Sequence, residues 1–107
     1  MEYTTILASK PGTPVPKLDK RTDDNKIFMI DCLPILCDKE LVRGIVLNGT
    51  TPLTITELYA KEGRYIKFRV GGGPTTVPYT DYLINFTVRT SKTNDITVPV
   101  TIRVFSN

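Results

Sequence analysis

Ile96-Thr97-Val98-Pro99-Val100-Thr101-Ile102-Arg103-Val104 is the longest alternating stretch of the chain. Successive side chains of an extended strand point to opposite faces. Ile96, Val98, Val100, Ile102 and Val104 therefore share one apolar face, while Thr97, Pro99, Thr101 and Arg103 share a polar one. A helix would scatter these residues around its circumference, so the stretch predicts a half-buried strand. Pro99 has no N–H to donate to a ladder, which places it at a sheet edge or at a bulge.

Working back along the chain, Ser91-Lys-Thr-Asn-Asp95 reads as a turn. Asp81 to Thr90 is a second strand, with Tyr82, Ile84, Phe86 and Val88 inward and Asn85, Thr87 and Arg89 outward. Arg64 to Val70 is a third, with Ile66, Phe68 and Val70 on one face and Tyr65, Lys67 and Arg69 on the other. Glu62-Gly63 precedes it as a turn, and Gly71-Gly-Gly-Pro-Thr-Thr-Val-Pro78 follows as a loop. Leu53 to Tyr59 alternates and then slips register near Glu57, which predicts a bulge. Leu41 to Leu47 is a strand stopped by Asn48-Gly49, and Ile27 to Ile30 is a short buried one. Between them, Asp31 to Glu40 is interrupted by Pro34 and ends in a turn or a single helical turn at Asp38-Lys-Glu40.

Residues 1–26 read as an extended arm. Met1 to Ala8 is compatible with one short edge strand, Ser9 to Lys17 carries Pro11, Pro14 and Pro16, and Leu18 to Asn25 is almost wholly polar. Proline fixes φ and removes donors, so the middle of the arm is extended or polyproline-like. Such an arm either drapes over a neighbour or frays.

The expectation is an all-β protein: an arm over 1–26 and an antiparallel β-sandwich of about seven short strands over 27–107, with a small barrel as the alternative. At 107 residues the chain is one domain, and its 40% hydrophobic content supports one modest core. The first twenty residues carry no apolar leader and the chain no twenty-residue apolar run, so synthesis in the cytoplasm is expected and a membrane is not.

Chemistry-bearing residues are sparse. The chain has no His, which removes the commonest proton shuttle near neutral pH and any base to activate Cys32 or Cys37. Those two cysteines lack further ligands for zinc within one chain. On one extended strand they would sit about 16 Å apart on opposite faces. Reduced thiols are the leading expectation, with a disulfide bent together at Pro34 or formed between chains as alternatives. Asp31, Asp38, Glu40, Glu57, Glu62, Asp81 and Asp95 fall mostly at strand ends, where solvated turn residues belong. The Gly71-Gly72-Gly73 triplet follows a strand but precedes proline rather than a helix, so it matches no phosphate-binding loop. No catalytic constellation, metal site or cofactor is expected, and no small-molecule substrate.

Charge supplies one further candidate. Residues 61–107 hold seven Lys or Arg against three acids, although the net charge is only +3. Lys67, Arg69, Arg89 and Arg103 all fall on polar faces, and they would form a basic stripe beside Tyr65 if their strands were neighbours in one sheet. That stripe is the case for a single-stranded nucleic-acid-binding barrel, a disfavoured alternative because few aromatic residues accompany it. A carbohydrate- or receptor-binding adhesin module is another alternative, for which exposed aromatic clusters are few.

From about Phe28 to Val104 the chain resembles the small immunoglobulin-like virion proteins of tailed bacteriophages, of the fibre-to-tail adaptor type. The likeness rests on Ile30-Asp31 and a short apolar interruption, Gly71 to Gly73, Tyr82-Leu-Ile-Asn-Phe-Thr-Val-Arg-Thr-Ser91 with its polar turn, and the closing Val100-Thr-Ile-Arg-Val104. The chain differs in lacking Trp near Asp31 and in its longer proline-rich arm. The resemblance implies an immunoglobulin-like sandwich and a virion structural part made in the host cytoplasm. It further implies work in many copies against other virion proteins, without a cofactor. On that reading Pro11, Pro14 and Pro16 of the arm and the loop at Gly71, Gly72 and Gly73 are the expected contacts with neighbouring subunits, with Lys67, Arg69, Arg89 and Arg103 as further candidates.

Overall fold

The computed structural model describes residues 4–10, 14–22, 24–49, 51–73 and 78–106. Eight strands follow one another: β1 (Thr4–Leu7), β2 (Lys17–Arg21), β3 (Lys26–Asp31), β4 (Val42–Asn48), β5 (Leu53–Lys61), β6 (Tyr65–Gly72), β7 (Tyr79–Thr90) and β8 (Asp95–Phe105). They form two four-stranded sheets, ordered β1-β3-β6-β5 and β2-β8-β7-β4. The sheets pack face to face as a β-sandwich.

The alternation in the sequence builds the interior. Phe28 and Ile30 of β3 and Ile66, Phe68 and Val70 of β6 line the first sheet's inner face. Ile84, Phe86 and Val88 of β7 and Val98, Val100, Ile102 and Val104 of β8 line the second's. Phe68 joins the layers, its ring centroid 6.0 Å from that of Phe28 and 5.1 Å from that of Phe86, both tilted as aromatic quadrupoles favour.

Two expectations need correction. The sheets are mixed rather than antiparallel, because β1 pairs parallel with β3 and β2 parallel with β8. Both parallel strands come from the segment read as an arm. No hairpin ties them to their partners, so nothing forces an antiparallel approach. The polar stretch after Leu18 is also not free chain: over Lys17–Arg21 burial alternates, with Leu18 and Lys20 inward. The alternation was hidden because one of its two inward side chains is a lysine.

Local details follow the sequence closely. Glu57 has φ +54°, and the β5–β6 register shifts between Thr56 and Tyr59, the bulge expected there. Glu62 and Gly63 both have positive φ, as the two central residues of a type I′ hairpin turn require. Pro34 lies within a 3-10 turn, Leu33–Ile35. Pro99 sits in a strand that is central only in part. The Thr101 N–H donates to the Pro16 carbonyl at 2.9 Å, and β2 pairs with β8 only from Thr101 onward. N–H directions alternate along a strand, so the Pro99 nitrogen faces the same side one step before β2 begins, and no ladder bond is lost.

Gly73 closes the end of β6 where no other residue fits. Its φ is +93°, and a Cβ there would lie 2.8 Å from both Leu53 Cδ2 and Val104 Cγ2. Gly73→Ala is expected to cost about 3 kcal/mol from strain plus overpacking. Gly49→Ala, also at positive φ but facing open space, should cost about 1 kcal/mol. Urea unfolding of both variants checks the ranking, and equal losses would contradict the packing argument.

Candidate interaction surfaces

Among the described residues two carboxylates are buried, Asp31 and Glu40, and both brace one end of the sandwich. Asp31, at the end of β3, receives Arg64 Nε at 2.8 Å and Nη2 at 2.6 Å, and also the Leu33 N–H at 3.0 Å. The neighbouring backbone closes the same corner, with the Cys32 N–H donating to the Arg64 carbonyl and the Ala8 N–H to the Asp31 carbonyl. The Arg64 guanidinium holds the Asp31 carboxyl below its ordinary range. Glu40 accepts from the Cys37 N–H at 2.9 Å, from the Thr90 hydroxyl and from Asn94 Nδ2 at 2.9 Å. Those three donors, the Cys37 amide first, draw its pKa down to about 2. Neither acid is the solvated turn residue expected from its position at a strand end.

The Glu40 bonds pin the 37–41 segment to the β7–β8 turn. Leu41 and Ser91 exchange bonds there, and Lys92 Nζ reaches the Asp38 carbonyl at 2.9 Å. Because the folded carboxyl is more acidic than the ordinary 4.5, this stabilisation is complete above that value and is lost as pH falls toward 2.

The proposed basic stripe does not form. Lys67 and Arg69 belong to the first sheet, and Arg89 and Arg103 to the second. Their outward rows therefore lie on opposite sides of the sandwich. Each arginine is also paired: Arg69 with Glu57 at 2.8 Å, Arg89 with Asp95 at 2.6 Å, and Arg103 with Asp81 at 2.8 Å. Arg103 additionally lies 4.0 Å from the centroid of Tyr79, and Lys67 Nζ 5.6 Å from that of Tyr59. Such exposed pairs add little stability but cancel the local field.

The other candidates separate. Pro11 lies outside the described residues, Pro14 is exposed, and Pro16 is half-buried with its carbonyl engaged by Thr101. Gly71 and Gly72 are not loop residues; they finish β6, opposite Thr54 and Leu53. Gly73 is buried. Cys32 is buried and Cys37 exposed, and both thiols are free, so the disulfide alternative within the chain is set aside. The 3-10 turn between them carries the two side chains into different environments.

Three features escaped the sequence reading. Lys20 is only 1% exposed, and its ammonium donates to the carbonyls of Arg21 (2.6 Å), Thr22 (3.4 Å) and Gly72. It ties the edge strand of one sheet to the end of β6 in the other, an arrangement that polarity alone argued against. Beside it opens a cleft lined by Asp19, Arg21, Asp24, Lys26, Pro78 and Phe105. The Arg21 N–H holds Asp24 below its ordinary pKa, the opposite of a poised general acid. The second and third features are Val46 and Leu83, 63% and 61% exposed on the second sheet's outer face. Leu83 was legible, since it shares the parity of Asn85, Thr87 and Arg89.

Among the described residues no group of three or more His, Cys, Asp or Glu is placed to hold a metal ion, and no helix is long and apolar enough to cross a membrane. No protein family, no curated protein and no solved structure matches the chain.

Two measurements check this description. The urea midpoint should hold steady above pH 4.5 and decline toward pH 2, and Glu40→Gln should lower it at neutral pH while flattening that decline. An unchanged slope would remove Glu40 from the account. Burial pushes the Cys32 thiol up to about 12, so alkylation of the folded protein should stop at Cys37 and reach Cys32 only on unfolding.

Proposed function

We propose that this chain is a non-enzymatic structural protein of a tailed-bacteriophage virion. In that role it mediates assembly or attachment of neighbouring subunits as an adaptor, a neck or collar part, or a decoration protein. On this reading the sandwich is immunoglobulin-like, works in many copies within the virion and carries no cofactor.

The observation that carries the reading is the set of large apolar side chains standing in solvent on a rigid frame. Val46 and Leu83 project from the second sheet, and Leu7, 63% exposed, from the β1 edge. The cost of leaving such groups in water is recovered when another protein covers them. Arg89 and Arg103 on the same outer face as Val46 and Leu83 are tied into ion pairs within the chain, which favours shape and apolar contact there. The two buried carboxylates are consumed in bracing loops, which fits a spacer better than a reaction centre. Division of the arginines between two faces weighs against a strand-tracking nucleic-acid groove.

Cross-linking and mass spectrometry on the protein isolated from its native source should recover other structural proteins at repeating stoichiometry. Isolation with a single small molecule that the protein converts would overturn the reading.

A further inference from the structure

The two sheets expose four edges, and three carry devices that discourage strand addition. The β1 edge is only four residues long, β2 reads Lys-Leu-Asp-Lys-Arg, and β5 is broken by its bulge at Glu57. The β4 edge differs. Its single irregularity lies at Arg43, between Val42 and Gly44, where the Val42 N–H is already taken by the Gly63 carbonyl at 2.7 Å. From Gly44 to Asn48 the strand reads Gly-Ile-Val-Leu-Asn, without charge, proline or bulge. Among the described residues no strand pairs with its free side.

Gly44 has no local reason to be glycine. It is absent from the positive-φ residues, so the bulge does not demand it, and a Cβ there would meet only Arg89 Cβ at 3.9 Å. A glycine inside a strand with room around it marks a place where another chain approaches closely. Gly44 and Val46 both face outward, opposite Arg89 and Thr87 of β7. Gly44 is thus a dent beside a standing apolar side chain, in a groove completed by Ile45, Thr87, Arg89 and Asp95.

We propose that β4 pairs antiparallel with β4 of a second copy of this chain, about a two-fold axis at Ile45, so that each Val46 seats over the partner's Gly44. In an antiparallel pair facing residues share a face, and a two-fold axis at Ile45 sets residue 44 against 46, with Arg43, the extra residue of the bulge, outside the regular pairing. The dent and the knob then match reciprocally. The two Arg43 side chains then lie at opposite ends of the joint rather than opposing each other. Ile45 and Leu47, which already pack toward the core, keep their facing. The product is one continuous eight-stranded sheet. This inference rests on the assembly reading above and names the partner for one of its surfaces.

Sedimentation velocity across a wide concentration range tests it, with circular dichroism confirming the fold of each variant. The wild-type chain should show a concentration-dependent dimer. Val46→Lys, which brings a charge into the joint, and Gly44→Val, which fills the dent, should each weaken it by about tenfold or more. Leu7→Lys, on the opposite edge of the other sheet, should leave it unchanged. A wild-type chain that stays monomeric, variants that associate as wild type, or an equal loss in Leu7→Lys would overturn the β4 joint. A monomer that still co-isolates with other structural proteins removes the joint and leaves the assembly reading standing. A β4 dimer isolated with no other protein, and converting a small molecule, would do the reverse.

Discussion

The structure depends on the contact between the inner faces of two sheets, at which Phe68 meets Phe28 on one side and Phe86 on the other. Burial of apolar surface is the dominant favourable term in folding, and a chain of this size has one core in which to find it. Every strand from β3 to β8 contributes side chains to that layer or to its margin. Turns, bulges and ion pairs then adjust the ends of strands whose facing the core has already set. Gly73 shows how tight the fit is, since Leu53 and Val104 close over it from both sheets.

Polar groups inside this frame are structural ties. Asp31 with Arg64 and Glu40 with Thr90 and Asn94 bind non-repetitive segments to strand ends, and Lys20 with three carbonyls binds an edge strand to the end of β6. A buried charge costs free energy unless it is hydrogen-bonded, and each of these is. Such ties hold loops and edge strands in register without enlarging the core.

The outer surface carries the functional argument. Its outward Arg69, Arg89 and Arg103 are matched to acids on the adjacent strand, whereas Val46, Leu83 and Leu7 stand mostly in solvent. An edge that is charged, short or bulged resists addition of another strand; β4 between Gly44 and Asn48 is none of these. Function here is therefore read from an edge and a face rather than from a pocket.

Alternation along Arg64–Val70, Tyr82–Val88 and Ile96–Val104 was sufficient to determine strands, inward faces and the all-β class, because facing in a strand depends only on parity. The bulge at Glu57 was legible as a slip in that parity, and the turn at Glu62-Gly63 from glycine's tolerance of positive φ. Tertiary structure alone decided which strands share a sheet, and so dispersed Lys67, Arg69, Arg89 and Arg103 over two faces. It also decided that the N-terminal segment supplies parallel edge strands, that Lys20 points inward, and that Asp31 and Glu40 are buried. These outcomes turn on partners distant in the chain, such as Lys20 with Gly72 or Glu40 with Thr90. Residue spacing carries no information about partners that only folding brings together.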